Sequence, residues 1–285
     1  MLWFGDKKSN KLDITWEYAT HGNLWRLVPS NNGHFVIEDR DVEKKNVSFT
    51  CLDRVTGKII WEHVQFSEKW WVTIDVVHNN MLFLHEYASP DLPESKKIIA
   101  VDIFTGKLVW SNDDMKFLFV HGDCIYAAKD EYDQRKFFQL SLLDGVVLRE
   151  IDDQYLSVIQ ETCKGVVENT LVFPVSINEG DNEQMPASVV QKATADASNV
   201  SLIEHVSHGN TDVVGYYEST SEALTQQKYC QHITVLNREN NKILFRDIVN
   251  EHVAVTVPET FFLIDSFLYY IKKTSTLRAL DLIRG

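Results

Sequence analysis

A twelve-residue pattern that occurs twice, 49 residues apart, constrains the fold of this chain more than any other feature. Residues 50–61 and 99–110 share the order Asp-x-x-Thr-Gly-Lys, followed by two aliphatic residues and Trp. Weaker copies follow at residues 141–149, 237–245 and 279–285. A period of roughly 40 to 50 residues is typical of propeller blades, whereas solenoid units are usually shorter.

Every copy predicts a β-hairpin. An apolar strand ends at the Asp, a Thr-Gly or Asn-Asn loop supplies a residue that can take a positive φ angle, and a second strand begins at the Lys. Trp61 and Trp110 end the second strand of the strong copies, where a large ring can fill space between neighbouring sheets. Two more strand-like runs precede the hairpin, at residues 70–77 and 81–87 in the second repeat. Four strands per repeat predict an all-β fold, a β-propeller of four-stranded blades.

The two ends of the chain predict how the propeller closes. The sequence ends inside a hairpin whose other copies continue with a second strand. Residues 11–18, which include Lys11 and Trp16, have the pattern of that missing strand and are expected to pair with residues 253–285. Such pairing removes an open sheet edge. The sequence therefore predicts a single β-propeller domain over residues 1–285, closed by its N-terminal strand.

The number of blades depends on residues 152–199. The repeats predict five blades, at residues 23–64, 68–112, 116–151, 200–249, and 253–285 with 11–18. Within the remaining segment, residues 155–160 and 165–176 resemble the inner strands of a degenerate blade. Residues 177–199 are polar and then rich in Ala, Val and Gln, which is typical of an irregular or helical insertion. Six blades are favoured on this pattern, and five blades with an insertion are the alternative.

The charge of the chain excludes two classes of partner. It has 28 Lys and Arg against 41 Asp and Glu, so its formal net charge is −13. Nucleic acids and anionic lipids are bound mainly through basic side chains. We therefore expect no nucleic acid and no membrane among its partners. The first residues show no basic segment followed by an apolar run, so a cytoplasmic location is predicted.

The hairpins at residues 53–61 and 102–110 resemble the tryptophan-docking repeats of quinoprotein-like β-propellers, the pyrroloquinoline-quinone type. The resemblance covers most of the chain outside residues 152–199 and implies the fold. Dehydrogenases of that family carry two adjacent cysteines against the quinone, but the closest cysteines here, Cys124 and Cys163, are 39 residues apart. The resemblance therefore implies a member of uncharacterised function without the quinone site, and no cofactor is expected.

No motif in the chain predicts a chemical reaction. The sequence has neither a Gly-x-Ser-x-Gly nucleophile turn nor a glycine-rich phosphate loop. His205 and His208 form the one short pair of histidines, and they have no Glu between them and no helical context, so they are weak as a metal site. We therefore expect no catalytic, cofactor-binding or metal-binding residues.

Aromatic and loop residues are the candidates for an interaction surface. Residues 86–96 read as an extended hairpin loop with two prolines, and loops carry binding residues more often than strands do. The adjacent aromatic pairs at 70–71 and 216–217 can pack between blades or face a partner. Packing is the alternative for every one of these residues. The candidate surface comprises Trp70, Tyr87, Asp91, Leu92 and Tyr216.

The sequence favours a non-enzymatic scaffold that binds an unidentified protein partner through loops of one propeller face. The alternatives are a hydrolase or lyase, or a site for a small sugar-like molecule, at the central channel. An exposed apolar patch would indicate docking. Clustered carboxylates or histidines with perturbed pKa values would indicate an enzyme, and a pocket lined by aromatic rings would indicate a small-molecule site.

Overall fold

The computed structural model describes residues 11–89, 92–132, 134–163, 171–177, 187–220 and 227–283. Over these residues the chain is mainly β-strand, with two short helices. It divides into two compact units, a central unit of residues 20–168 and a terminal unit of residues 1–19 with 169–285. The single domain over residues 1–285 stays a prediction.

The strands and helices of the described residues are numbered in chain order. The first thirteen strands are β1 (Trp16–Ala19), β2 (Asn23–Pro29), β3 (His34–Asp41), β4 (Asn46–Asp53), β5 (Ile59–Val64), β6 (Val72–His78), β7 (Met81–Ser89), β8 (Leu92–Asp102), β9 (Leu108–Asn112), β10 (Lys116–His121), β11 (Cys124–Glu131), β12 (Gln134–Ser141) and β13 (Val147–Ile151). The elements that follow are α1 (Asp153–Cys163), β14 (Leu171–Val172), β15 (Val175–Ile177), α2 (Ala187–Ala193), β16 (Val200–His208), β17 (Thr211–Ser219), β18 (Tyr229–Asn237), β19 (Ile243–Val253), β20 (Phe261–Ile264), β21 (Phe267–Lys272) and β22 (Thr276–Asp281). In the part of the chain that the structure describes, neither helix is long and apolar enough to cross a membrane.

The strands form five antiparallel sheets, one for each sequence repeat. In the central unit, sheet 1 contains β2 to β5, sheet 2 contains β6 to β9, and sheet 3 contains β10 to β13, each in chain order. In the terminal unit, sheet 4 runs from β15 to β19, and sheet 5 has the order β1-β22-β21-β20-β14. This organisation confirms the predicted all-β class, with antiparallel sheets as the propeller blades.

The N-terminal strand completes the last sheet, as predicted. In the register of β1 and β22, Trp16 lies opposite Ala279, and the N–H of Thr15 donates to the Ala279 carbonyl oxygen at 2.8 Å. The strand itself begins at Trp16, slightly later than expected. Leu12, which precedes it, is 5% exposed and packs into the apolar core of the terminal unit.

The prediction of an inner strand at residues 155–160 is wrong, because these residues belong to helix α1. Asp152 starts the helix: its Oδ1 accepts the N–H of Tyr155 at 2.7 Å, as an N-cap residue does. Leu156 and Ile159 pack into one cluster with Tyr126. Their spacing of three places both on one face of a helix, whereas a strand would turn them to opposite faces.

The residues expected to build a sixth blade extend two other sheets instead. β14 pairs with β20 in sheet 5, and β15 pairs with β16 in sheet 4. Pro174, between them, is buried and has no N–H to donate to a ladder. Helix α2 lies where the insertion at 177–199 was predicted, although residues 178–186 lie outside the described residues. The described chain therefore holds five sheets, the alternative count, and not the favoured six.

The two strong sequence repeats fold into the same hairpin. Asp53 Oδ1 accepts the N–H and the Oγ1 hydroxyl of Thr56 at 2.8 and 2.6 Å, and Asp102 binds Thr105 at the same two distances. The glycine that follows, Gly106 in the second repeat, has a φ of +68°, a left-handed conformation that glycine takes without steric cost. The predicted turn chemistry is therefore confirmed.

The repeat tryptophans join neighbouring sheets of the central unit. Trp61 of sheet 1 donates its Nε1–H to the carbonyl oxygen of Ile103, in the hairpin of sheet 2, at 2.7 Å. Trp110 of sheet 2 donates in the same way to Leu142 of sheet 3 at 3.2 Å. Apolar clusters fill the space between sheets 1 and 2 and between sheets 2 and 3. The predicted packing of these rings between sheets is confirmed.

Glycine is required at position 145 by the backbone and by packing. Gly145 has a φ of +70°, and a Cβ there would lie 2.6 Å from Cε3 of Trp110. We expect Gly145→Ala to lower the free energy of unfolding by about 2–4 kcal/mol, because left-handed strain adds to overpacking. Urea unfolding followed by circular dichroism measures this loss.

Gly122→Ala is the matched control, because Gly122 has a φ of +59° but no atom within 4 Å of the added Cβ. It should cost only the backbone strain, about 1–2 kcal/mol. Equal losses in the two variants would show that contact with Trp110 is not what excludes a side chain at position 145.

Candidate functional site

Trp70 and Tyr87, two of the predicted surface residues, lie in one aromatic cluster of the central unit. Trp71 lies between them, with its ring edge-on to Trp70 at 6.3 Å and to Tyr87 at 6.2 Å. Tyr87 also meets His85 edge-on at 5.0 Å, and Trp70 covers the guanidinium group of Arg40 at 5.2 Å. Both predicted residues are half-buried, so these rings combine packing with partial exposure.

The other predicted surface residues do not join this cluster. Tyr216 belongs to the terminal unit, where it is 3% exposed and stacks on His232 at 4.8 Å between ring centroids. Asp91 lies outside the described residues, and Leu92 begins β8. The predicted loop at 86–96 is a hairpin in which β7 and β8 stay paired as far as Ser89 and Leu92.

A buried carboxylate and histidine in sheet 2 come nearest to the signature expected of an enzyme. His85 Nδ1 lies 2.7 Å from Asp75 Oδ1. Burial raises the pKa of Asp75 above its ordinary value, although the hydrogen bond from His85 opposes this. Their outer atoms, Asp75 Oδ2 and His85 Nε2, are buried and have no hydrogen-bond partner among the described residues. The two side chains as a whole are 12% and 13% exposed, so it is these outer atoms that are out of contact with solvent.

His205, of the short histidine pair, contributes to a structural ion pair in sheet 4. Asp212 is fully buried and accepts hydrogen bonds from His205 Nε2 at 2.9 Å and from Arg238 Nη2 at 2.7 Å. Burial alone would raise the pKa of Asp212, but these two donors hold it below its ordinary value. His208 contributes its carbonyl oxygen, which accepts the hydroxyl of Thr211. The two histidines therefore form no common site.

A polar cleft of about 230 Å³ opens on sheet 1 of the central unit. His21, Asp39 and His63 each bring one potential metal-ligand atom into it, and these three atoms lie within 4.8 Å of one another. The two imidazole rings are 4.4 Å apart between centroids. Both histidines are exposed, whereas Asp39 is only 4% exposed. The other lining residues are Asp41, Lys44, Asn46, Ser48 and Gln65.

Asp39 is held by the turn that precedes β2. Its Oδ2 accepts the N–H of His21 at 3.0 Å, and its Oδ1 accepts the N–H of Gly22 at 2.9 Å. The turn crosses β3 so closely that a Cβ on Gly22 would lie 2.3 Å from the carbonyl oxygen of Arg40. Glycine at this position therefore lets the turn bring His21 beside the carboxylate of Asp39.

His63 reaches the cleft through an additional bulge in β5. The register shifts so that Glu62 and His63 together lie opposite Thr50 of β4. His63 has a φ of +55°, and its N–H donates to Thr50 Oγ1 at 3.3 Å. The corresponding ladders of sheets 2 and 3 have only the bulge next to the hairpin. The same second bulge recurs in sheet 4, where Glu251 and His252 lie opposite Cys230 and His252 has a φ of +59°.

The outermost strand of each sheet in the central unit exposes apolar side chains at the same repeat positions. These positions are the hairpin tip and the two residues that begin the outer strand. Nine such residues are between 37% and 75% exposed. They form the outer apolar row: Val55, Ile59, Ile60, Phe104, Leu108, Val109, Leu143, Val147 and Leu148.

The same strand positions are covered in sheet 4 of the terminal unit. Ile243 and Leu244 are the counterparts of the two strand residues, and Glu239 takes the place of the apolar hairpin tip. Ile243 packs in a cluster with Val189 of helix α2. Leu244 is 5% exposed and shares a cluster with Leu12, whose N–H donates to the Leu244 carbonyl oxygen at 3.0 Å. Within the described residues, the outer strands of sheets 1 to 3 lack such a cover and remain exposed.

One family model matches part of the chain. It is described as a domain of unknown function, DUF4905, and it matches residues 28–110, which contain most of sheets 1 and 2. No curated protein matches the chain.

Several solved structures are distantly similar. A bifunctional GH43-CE protein from Bacteroides eggerthii has 10% identity over 95% of this chain and a TM-score of 0.30, and this chain spans 34% of its length. An uncharacterized protein from Listeria monocytogenes EGD-e has 9% identity, with 90% and 94% of the two chains covered and a TM-score of 0.35. Hydrazine synthase from Kuenenia stuttgartiensis has 12% identity, with 86% and 64% covered and a TM-score of 0.28. Matches this distant carry no argument about activity, ligand or site.

Proposed function

We propose that the protein is a non-enzymatic scaffold that binds a protein partner through the outer apolar row of its central unit. The observation that carries this proposal is the exposure of nine apolar side chains at equivalent positions on three successive sheets. Exposed apolar surface is unfavourable in water, and clustered exposed apolar side chains mark interaction sites. Three residues of the row, Val55, Phe104 and Leu143, are hairpin tips, so the partner would contact loops.

Sheet 4 supports a specific kind of partner, a short amphipathic helix. Helix α2 has seven residues, and its buried Val189 and Ala193 are four apart and thus on one face. This helix packs against Ile243, which begins the outer strand of sheet 4 as Leu108 and Val147 begin those of sheets 2 and 3. The exposed Lys58 and Lys107 immediately precede row residues. The partner helix would therefore carry small apolar residues on one face and acidic residues beside them.

We also propose that the chain is a distant member of the quinoprotein-like propellers without the quinone site. The support is the contact of Trp61 and Trp110 with the next hairpin through their indole N–H groups. All four cysteines are free, and burial raises the pKa of Cys51 to about 12, which keeps this thiol protonated. The net charge of −13 supports the further proposal of no binding to nucleic acid or membrane. The four free cysteines support a proposed cytoplasmic location, since thiols are kept reduced there.

Site-specific photocrosslinking in the native host tests the docking proposal. Benzoylphenylalanine replaces Leu108 in one version of the protein and Val158 of helix α1 in the other. The two positions are matched in exposure, at 55% and 57%. We expect position 108 to crosslink to one discrete protein, identified by mass spectrometry, and position 158 to give no such product.

The identified partner is then purified and its Kd for the wild-type chain is measured by titration calorimetry. Leu108→Ser with Val147→Ser should weaken binding at least tenfold, since burial of each apolar side chain contributes about 1–2 kcal/mol. Val158→Ser should leave the Kd unchanged. Equal crosslinking at both positions, or a Kd that the two row substitutions do not alter, would refute the proposal.

A further inference from the structure

We infer that His21, Asp39 and His63 form a binding site for a divalent transition metal ion, best matched by Zn²⁺. This inference goes beyond the docking function and does not depend on it. Two imidazoles and one carboxylate are ligands that Zn²⁺ takes in proteins. Among the described residues, they are the single group of three such side chains close enough to share an ion. This inference departs from the expectation, drawn from the sequence, of no metal-binding residues.

The three ligand atoms are close enough for one ion to bind them all. They lie within 4.8 Å of one another. One point therefore lies no more than about 2.8 Å from each (4.8 Å divided by √3), against about 2.0–2.2 Å for Zn–N and Zn–O bonds. Side-chain rotation can close this difference of roughly 0.7 Å, because His21 and His63 are exposed and can change rotamer. Asp39 is buried and supplies the fixed ligand.

The charge of Asp39 is a second, independent observation that indicates a cation. Its carboxylate is almost fully buried, and the cations near it in sequence, Arg40 and Lys44, pair with Glu38 and Asp41 instead. Its two oxygens accept hydrogen bonds from the backbone N–H groups of His21 and Gly22, which carry no net charge. A buried carboxylate without an opposite charge is costly. A metal ion on the remaining lone pairs supplies that charge, and the two N–H groups fix the direction of the carboxylate towards it.

Two local departures from regular structure position the ligands. The close crossing at Gly22 brings His21 to the cleft, and the second bulge of β5 turns His63 towards it. His63 takes a left-handed φ that costs free energy for most residues other than glycine, asparagine and aspartate. Sheets 2 and 3 lack this second bulge, but sheet 4 has it at Glu251 and His252, so it is not specific to the cleft. The bulge therefore places His63 at the cleft and does not by itself indicate a ligand.

The number of protein ligands defines the type of site. Structural Zn²⁺ sites are usually closed by four protein ligands, whereas sites with three keep a coordination position open. Here the open position faces the cleft, whose polar lining includes Asn46, Ser48 and Gln65. These side chains can bond a water molecule or a small anion that occupies the fourth position. The site would therefore take a further ligand from solvent.

Titration of the purified full chain with ZnCl₂ tests this inference. The protein is first treated with a chelator, and binding is followed by calorimetry. We expect one Zn²⁺ per chain with a Kd in the micromolar range or tighter. His63→Asn should weaken binding at least tenfold, because it removes an imidazole while Asn tolerates the left-handed φ. Co²⁺ as a second probe should give visible absorption bands that His63→Asn abolishes.

Two further variants decide between a metal site and general surface binding. His252→Asn is the matched control, because His252 is also exposed and has a φ of +59°; its Zn²⁺ affinity should equal that of the wild type. Asp39→Asn keeps the shape of the side chain without its charge and should weaken binding at least tenfold, with circular dichroism confirming the fold. The inference fails if the wild type binds no stoichiometric Zn²⁺. It also fails if His63→Asn leaves the affinity unchanged, or if His252→Asn reduces it equally.

Discussion

Trp61→Ala is expected to lower the free energy of unfolding by about 3–5 kcal/mol. The side chain is 9% exposed and lies in the apolar cluster between sheets 1 and 2. Truncation leaves a cavity between the sheets that cannot collapse fully, because the surrounding strands are fixed by their ladders. The carbonyl oxygen of Ile103 also loses the indole N–H that binds it at 2.7 Å. Urea unfolding followed by circular dichroism measures the loss as a shift of the midpoint at constant slope.

Two variants separate packing, hydrogen bonding and exposure at this position. Trp61→Phe keeps most of the ring and loses the N–H donor, so about 1–3 kcal/mol is expected. Trp25→Ala removes a ring that is 59% exposed and lies over Arg40 at 5.4 Å, so no more than about 1 kcal/mol is expected. If Trp25→Ala costs as much as Trp61→Ala, docking of the repeat tryptophan does not join the sheets.

The hairpins could be predicted because their determinants are local in the sequence. Asp53 binds Thr56 three residues later, and the glycine that follows needs only its own φ angle. The repeat period then places Trp61 against the next hairpin without further information. The completion of sheet 5 by β1 follows from the same reasoning, because an incomplete hairpin at one end of the chain requires a strand from the other.

Helix α1 could not be predicted as readily, because a short apolar run such as residues 155–160 is compatible with either a helix or a strand. The expectation of a strand at 155–160 gave too little weight to Asp152 as an N-cap and to the spacing of Leu156 and Ile159. Strands β14 and β15 have two and three residues, and each is fixed by the sheet it joins. Their positions follow from tertiary pairing, which the blade repeat does not encode.

The metal ligands are scattered in the sequence, and strand register brings them together. His21 precedes Asp39 by 18 residues, and His63 follows Asp39 by 24. No motif covers such spacings, and the bulge that turns His63 towards the cleft is visible only in three dimensions. The one available signal was the run of charges at residues 38–41, directly after an apolar strand segment. Charged residues inside a central strand indicate buried polar interactions that need partners.

The outer apolar row was visible in the sequence, but its exposure was not. Each strong repeat has two aliphatic residues before its Trp, and blade sheets are expected to be covered on both faces. The pattern therefore suggested core packing. In sheet 4 that expectation holds, since Leu244 is buried, whereas Val109 and Leu148 at equivalent strand positions in sheets 2 and 3 stay exposed. Exposure depends on which neighbouring segment covers the strand, and no local pattern specifies that.

Arg40→Met is expected to lower the free energy of unfolding by about 3–5 kcal/mol, because it leaves the carboxylate of Glu38 buried without a cation. Arg40 Nε donates to Glu38 Oε1 at 2.6 Å, and both side chains are nearly inaccessible to water. The other guanidinium nitrogens donate to the carbonyl oxygens of Trp70 and Val72 at 3.1 and 2.8 Å. Glu38 Oε2 accepts the hydroxyl of Thr73 at 2.8 Å. The pair thus links β3 of sheet 1 to β6 of sheet 2 and to Trp70, which precedes β6. Urea unfolding measures the stability that Arg40→Met loses.

The double variant Glu38→Leu/Arg40→Met identifies the buried charge as the cause. It removes both charges, so it should be more stable than Arg40→Met alone by about 1 kcal/mol or more, although it loses more hydrogen bonds. Arg135→Met is the control for an exposed ion pair: Arg135 and Asp130 are each about half exposed, and the loss should stay below about 1 kcal/mol. If the double variant is no more stable than Arg40→Met, the cost arises from lost bonds between the sheets. The pair would then stabilise the fold through hydrogen bonds between the sheets, and the uncompensated carboxylate of Glu38 would not contribute to the loss of stability.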